Sequence, residues 1–234
     1  MQTTPPLLHL DWPNQYRIVS SKYPPINFFE KLVPKDQMDE IFYLESLTND
    51  RLREEVGDLS LVKPHDRVSG EGASVVMAAF THIGKRSRFS NGSYGVYYAA
   101  KTLHSAVFET VFHRQQFLSY TKEEAGEIDM RVYIGKILKN LHDVREPSYR
   151  SLHDPNDYSP SQLFGGQLRE QEAFGLVYNS VRDLGGECIA VFRPPAISIP
   201  KQSQHIVYVW NGTKITSVYE KSKVLFDFGS RSQL

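Results

Sequence analysis

Apolar and polar positions change their period several times along this chain, and each change predicts an element. Residues 1–34 carry Pro5, Pro6, Pro13, Pro24, Pro25 and Pro34, which exclude a long helix and predict an extended arm. From Asp36 to about Glu55, Met38, Ile41, Phe42, Leu44, Leu47 and Leu52 recur near the helical period among charges. That spacing predicts one or two amphipathic helices, with Asp36 as N-cap and Asp39 favourable in the first turn. This first quarter reads as a packed accessory layer. The middle then switches to strand signals. Val75–Phe80 and Val96–Ala99 are short apolar runs bounded by Gly and Ser, with a tight turn at Asn91-Gly92 between them.

Leu103, Ala106, Val107, Thr110, Val111 and Leu118 form an i, i+3, i+4 stripe that predicts a helix over residues 102–118. Met130, Val132 and Ile134 alternate with Arg131 and Tyr133, as in a half-buried strand. Ser159-Pro160 looks like an N-cap and first helical residue, with the helix running to about Phe174 and Gly175 stopping it. Strands follow at Leu176–Val181 and Cys188–Phe192. The segments Ile206–Trp210 and Lys214–Tyr219 flank Asn211-Gly212, the strongest hairpin signal present. Strands without regular helical crossovers, plus a few helices, predict an α+β fold with a mixed, mainly antiparallel sheet and flanking helices. We read residues 1–234 as a single domain: an arm and helices over 1–69, a core over 70–220 and a tail over 221–234.

Composition narrows the function classes. Of 234 residues, 27 are Lys or Arg and 27 are Asp or Glu, so the basic excess of a dedicated nucleic-acid or membrane-surface protein is missing. The longest apolar run has six residues, against roughly 20 for a spanning helix. The first residues carry neither a basic nor an apolar leader region, and Cys188 has no second cysteine to pair with. These features predict a cytoplasmic protein. Several motifs fail. Gly70-Glu71-Gly72 has Val75 where a dinucleotide fingerprint needs its third glycine, and Gly92-Ser93-Tyr94-Gly95 is one residue short of a nucleophile elbow. The eight histidines are never three to five apart, so no metal site is expected. Cys188, in an apolar strand, reads as a buried structural thiol.

One constellation survives. Arg88 precedes the Asn91-Gly92 turn and Tyr98 follows it, so the turn can bring them onto one face. Glu109 lies about two turns into the next helix, among apolar neighbours, where a carboxylate needs a partner or a task. Two readings stand level: a structural Arg88–Glu109 ion pair covered by a tyrosine, or a reactive cleft. Asn179-Ser180 interrupts a strand that otherwise looks buried, either as the strand's end or as a serine beside that cleft.

The blocks Ser87-Arg88-Phe89-Ser90…Tyr94-Gly95-Val96-Tyr97-Tyr98-Ala99-Ala100 and Tyr178-Asn179-Ser180-Val181-Arg182…Gly185-Gly186-Glu187-Cys188 resemble the RES-domain family, toxins of RES–Xre toxin–antitoxin pairs. Arg88, Glu109 and Ser180 match the Arg, Glu and Ser of that name. Tyr98 matches the family tyrosine, and Arg17 is similar to an early arginine of many members. The resemblance covers about residues 15–215 and departs in the long segment around 24–75. It implies a fold like that of ADP-ribosyltransferase toxins, with NAD⁺ as substrate rather than cofactor and cleavage of the nicotinamide–ribose bond by hydrolysis or phosphorolysis. It further implies growth arrest, an Xre-like antitoxin partner, contact with nucleic acid only through that antitoxin, and an oligomeric state left open. In this reading Glu109 stabilises positive charge on the ribose. Arg88 forks onto the pyrophosphate, Tyr98 stacks on nicotinamide, and Ser180, Arg17 and Asn91 contact substrate. Two other readings remain: transfer of ADP-ribose to a macromolecule by the same site, and a non-catalytic module binding RNA or protein around Lys85-Arg86-Ser87-Arg88.

Overall fold

In the computed structural model, which describes residues 4–21, 37–40, 42 and 56–221, nine strands form one sheet. They are β1 (Leu7–Leu8), β2 (Gln15–Ser20), β3 (Tyr97–Ala100), β4 (Gly126–Gly135), β5 (Leu141–Asp143), β6 (Gly175–Asn179), β7 (Glu187–Val191), β8 (Lys201–Trp210) and β9 (Ile215–Glu220). Their order is β1-β5-β6-β7-β3-β2-β4-β8-β9, and every neighbouring pair is antiparallel except β5 and β6. Three α-helices that lie wholly within the described residues flank it: α1 (Ala73–Thr81), α2 (Leu103–Thr121) and α3 (Ser159–Glu170). The architecture is the expected α+β class with a mainly antiparallel sheet.

The central strands are covered on both faces, which explains their unbroken apolar runs. On one face Tyr97, Ala99, Val177, Ile189 and Val191 pack with Val76, Met77 and Phe80 of α1. On the other, Ala100, Leu176, Tyr178, Cys188 and Ala190 join Ala106 of α2 and Phe164 of α3. Period-2 alternation therefore distributes each strand between two cores. Arg131 and Tyr133 of β4 are buried like their neighbours, so β4 is not the half-buried strand its alternation suggests.

Several local expectations change. Val75–Phe80 lies in helix α1, not a strand. A six-residue apolar run has no readable period, and α1 is completed by Ala73, Ser74 and Thr81, all buried. The turn at Asn91-Gly92 forms, with Gly92 at φ 100°, but it does not join two strands. Helix α3 has Tyr158 rather than Ser159 at its N-cap position, with no side-chain capping bond, and ends at Glu170, while Gly175 opens β6. A leftward-turning Glu172 at φ 59° redirects the chain between them. Residues 15–20 are not an accessory layer but a central strand, paired with both β3 and β4. The helices expected over Asp36–Glu55 fall mainly outside the described residues. Within them residues 38–40 and 42 are helical, Met38 is buried, and Asp39 pairs with Arg67 at 2.8 Å. The tail from Ser222 also lies outside. Helix α2 and the β8–β9 hairpin form as expected, the first capped by Thr102, whose hydroxyl accepts from Ser105 N at 3.1 Å.

Gly95 lets α1 approach the start of β3. A Cβ there would lie 2.2 Å from the Ala79 carbonyl oxygen and 2.6 Å from Phe80 Cα, both backbone atoms of a packed helix. Gly95→Ala is therefore expected to cost about 1–3 kcal/mol, the usual range for overpacking. A thermal midpoint equal to that of the unmodified protein would show that α1 can shift without loss.

Candidate active site

A cavity of about 320 Å³ opens between the sheet and α2, lined among others by Arg17, Arg88, Tyr98, Glu109, His113 and Tyr178. Strand β2 supplies Arg17, β3 supplies Tyr98, and α2 supplies Glu109 and His113 one turn apart on the same face. The expected convergence of Arg88 with Tyr98 is made by the phenol. Tyr98 Oη accepts from Phe89 N at 2.9 Å and shares a 2.8 Å hydrogen bond with Ser87 Oγ, so it grips the residues on either side of Arg88. Burial pushes its pKa well above the ordinary tyrosine value, and the hydroxyl stays protonated.

Arg88 is only 7% exposed. Its Nη1 donates to the carbonyls of Leu152 (3.1 Å) and Asp154 (2.9 Å), and the guanidinium lies 4.4 Å from the centre of the Tyr158 ring. Its backbone is held too, since Ser161 Oγ donates to Arg88 O at 2.6 Å from the first turn of α3. Glu109 turns elsewhere: its Oε1 accepts from Ser180 Oγ at 2.5 Å. The structural Arg88–Glu109 ion pair weighed from the sequence does not form.

Ser180 sits just past the end of β6 and links the two halves of the constellation. Its oxygen also accepts from Arg182 N (3.1 Å) and Asp183 N (2.9 Å), closing the turn that follows. The strand-end reading of Asn179-Ser180 is realised, and Ser180, itself outside the cavity lining, meets the cavity through Glu109. Asn179 Nδ2 donates to Arg145 O at 2.8 Å and so finishes the strand. The single Ser180 proton goes to Glu109, so the serine orients the carboxylate rather than offering a free donor.

Arg17 reaches the cavity from β2. Its Nη1 donates to Tyr98 O at 2.9 Å, and the guanidinium lies 4.3 Å from the Tyr97 ring centre. Burial lowers its pKa, while an arginine still keeps its proton at neutral pH. Asn91, like Ser180, is an expected contact that does not line the cavity. It is exposed, and its Oδ1 accepts from Ser93 N (3.0 Å) and Ser93 Oγ (2.7 Å). A turn asparagine of this kind satisfies its own backbone, and that task holds it away from the cavity.

His113 was not singled out by the sequence, although its place four residues after Glu109 on one helix was a usable signal. Burial lowers its pKa, Glu109 opposes this, and Arg182 and Arg88 reinforce it. Cys188 is a buried free thiol in the cavity wall, its pKa raised by burial and by Glu109. The run Lys85-Arg86-Ser87-Arg88 is not one exposed basic patch, because Arg88 is buried and Arg86 Nη2 donates to Gln162 Oε1 at 2.9 Å. A second cavity of about 200 Å³ is lined by Lys63, Asp66, Glu172 and Arg193. Those charges are already matched, Lys63 with Glu172 and Arg193 with Asp66 at 2.7 Å. Among the described residues no group of three or more His, Cys, Asp or Glu could hold a metal, and no helix is long and apolar enough to cross a membrane.

Comparison with known proteins gives three findings. The family description "RES domain" matches residues 65–211. An uncharacterized protein, y4oC, of Sinorhizobium fredii (strain NBRC 101917 / NGR234) is 32% identical over 208 residues, which cover 87% of this chain and 86% of that one. A chain in the crystal structure of the M. tuberculosis MbcT–MbcA toxin–antitoxin complex aligns with a TM-score of 0.39 and 15% identity, over 51% of this chain and 69% of its own. The matched domain contains Arg88, Tyr98, Glu109 and Ser180, and the y4oC likeness extends well beyond it: the chain belongs to the RES-domain family.

Proposed function

We propose that this protein cleaves the nicotinamide–ribose bond of NAD⁺ and acts as the toxin of a toxin–antitoxin pair. The observation that carries the chemistry is a carboxylate, Glu109, fixed by Ser180 in a cavity that also holds Arg88, Arg17 and the Tyr98 side chain. Breaking an N-glycosidic bond develops positive charge on the ribose, and an oriented carboxylate beside it stabilises that charge. The bond's electron pair leaves with the pyridinium nitrogen, so nicotinamide departs neutral and needs no strong acid. Water then adds to the ribose carbon and releases a proton, giving ADP-ribose. If inorganic phosphate adds instead, the product is an ADP-ribosyl phosphate. The phenyl ring of Tyr98 offers a face for nicotinamide, and Arg88 a planar fork for phosphate oxygens.

The toxin half of the proposal rests on membership of the RES-domain family. A cell tolerates an enzyme that consumes a central cytoplasmic cofactor only if a partner silences it, and an Xre-like antitoxin is that partner in this reading. Purified protein should release free nicotinamide from NAD⁺, and the product formed with and without phosphate identifies the acceptor. Intact NAD⁺ would overturn the reading. NAD⁺ loss with label retained on a macromolecule would favour ADP-ribosyl transfer instead. Expression alone should arrest growth, and co-expression with the neighbouring antitoxin should restore it.

Ser180→Ala separates orientation from binding. The variant loses the donor to Glu109 and the acceptor for two amides, an expected cost of about 1–2 kcal/mol in stability. Turnover should fall by roughly 10-fold, because Glu109 then samples several rotamers, while KM changes little. A KM increase with unchanged kcat would instead make Ser180 a direct substrate contact.

A further inference from the structure

Arg182, two residues beyond Ser180, has no role in the reading above, yet it shares its supports with Arg88. Its Nη2 donates to Pro155 O at 2.7 Å and to Tyr158 Oη at 3.3 Å, and its guanidinium lies 3.4 Å from the centre of the Phe112 ring. Arg88 is held by the carbonyls of Leu152 and Asp154 and by the face of the same Tyr158. One loop, residues 152–158, thus fixes two guanidiniums using three carbonyls and one phenol. All of these supports are neutral.

Neither arginine meets a carboxylate within ion-pair distance among the described residues, whereas Arg145 is paired with Asp143 at 2.8 Å and Arg193 with Asp66 at 2.7 Å. Each also keeps one N–H buried and without an acceptor there, Nη2 on Arg88 and Nε on Arg182. Two unneutralised cations with orphaned donors are unfavourable side by side, unless an anion completes them. Arg88 lines the cavity itself, and Arg182 stands outside that lining, at the hydroxyl end of the Tyr158 ring on which Arg88 lies.

We propose that Arg88 and Arg182 form a clamp for a diphosphate, one guanidinium for each phosphate, and that Arg182 makes the site select ligands carrying both. The choice of a diphosphate over another dianion rests on the NAD⁺ reading. With Nη2 tied to Pro155 and Tyr158 and the plane stacked on Phe112, Arg182 offers Nη1 to a phosphate oxygen and loses little side-chain freedom on binding, which a lysine cannot reproduce.

The test uses the full chain and Arg182→Met, which keeps an apolar stem over Phe112. Calorimetry with inorganic pyrophosphate, inorganic phosphate and ADP-ribose should show pyrophosphate and ADP-ribose affinities falling about 10–100-fold, as loss of hydrogen bonds to a charged group predicts. Single phosphate should bind weakly to both proteins. In turnover, KM for NAD⁺ should rise with little change in kcat, and the preference in kcat/KM for NAD⁺ over nicotinamide riboside should fall by the same factor. Equal losses on both substrates, or unchanged pyrophosphate affinity, would overturn the clamp. If Arg182→Met does not fold, Arg182→Lys is read in the same assays, and wild-type affinity there overturns the clamp as well. An unmodified protein that binds pyrophosphate through Arg182 but leaves NAD⁺ intact would refute the NAD⁺ reading alone. Active protein with an indifferent Arg182 would refute the clamp alone.

Discussion

Glu109→Gln is expected to lower NAD⁺ turnover by roughly 10²–10³, the usual cost of removing one preorganised electrostatic group from a transition state. The substitution preserves shape, and the amide oxygen can still accept the 2.5 Å hydrogen bond that Ser180 Oγ gives to Oε1. What disappears is the negative charge at the point where the ribose becomes positive. Because Arg88 is held by the Leu152 and Asp154 carbonyls rather than by Glu109, no buried cation is orphaned by the change. The thermal midpoint should therefore move little, and NAD⁺ binding should persist. A folded, binding, inactive variant is the expected result. Full activity would remove Glu109 from the chemistry, and a large fall in melting temperature would return it to a structural role.

Arg88→Ala should combine two losses. Deleting the guanidinium leaves the buried Leu152 carbonyl and the part-buried Asp154 carbonyl without that donor and bares the Tyr158 ring, an expected cost of about 2–4 kcal/mol. At about 2–4 °C per kcal/mol for a chain of this size, the midpoint should fall by several degrees or more. NAD⁺ and pyrophosphate affinity should drop at the same time. Arg88→Lys tests the geometry: one ammonium cannot meet two carbonyls and a phosphate with the fork that arginine provides. Wild-type stability in both variants would mean that the loop over residues 152–158 does not depend on Arg88.

These effects fall on residues that were legible in the chain to different degrees. The Thr102 cap, the stripe of α2 and the Asn211-Gly212 hairpin are local signals, and each element formed where its period and turn residues put it. Glu109 and Ser180 stood out because polar groups interrupt apolar segments there, and Arg88 and Tyr98 because they flank the Asn91-Gly92 turn. Asn91 was misleading for a local reason as well: the same residue that marks a turn uses its side chain to close it. Helix α1 was not legible, since a short apolar run buried in a core satisfies strand and helix equally until its neighbours are known.

Sequence by itself determined the fold class, the strands β3, β6 and β7, the helix that carries Glu109 and four of the residues that line the cavity, Arg17, Arg88, Tyr98 and Glu109. Period and turn preference are properties of a few neighbouring residues, so they survive without tertiary context. Tertiary structure alone decided which of those residues meet. Ser180 reaches Glu109 across 71 positions, and Arg88 reaches Leu152 across 64. It also moved Gln15–Ser20 from an outer arm to the middle of the sheet and set Arg182 beside Arg88 around one tyrosine. Those encounters depend on strand order and on the burial shared by distant segments, and no local pattern encodes either.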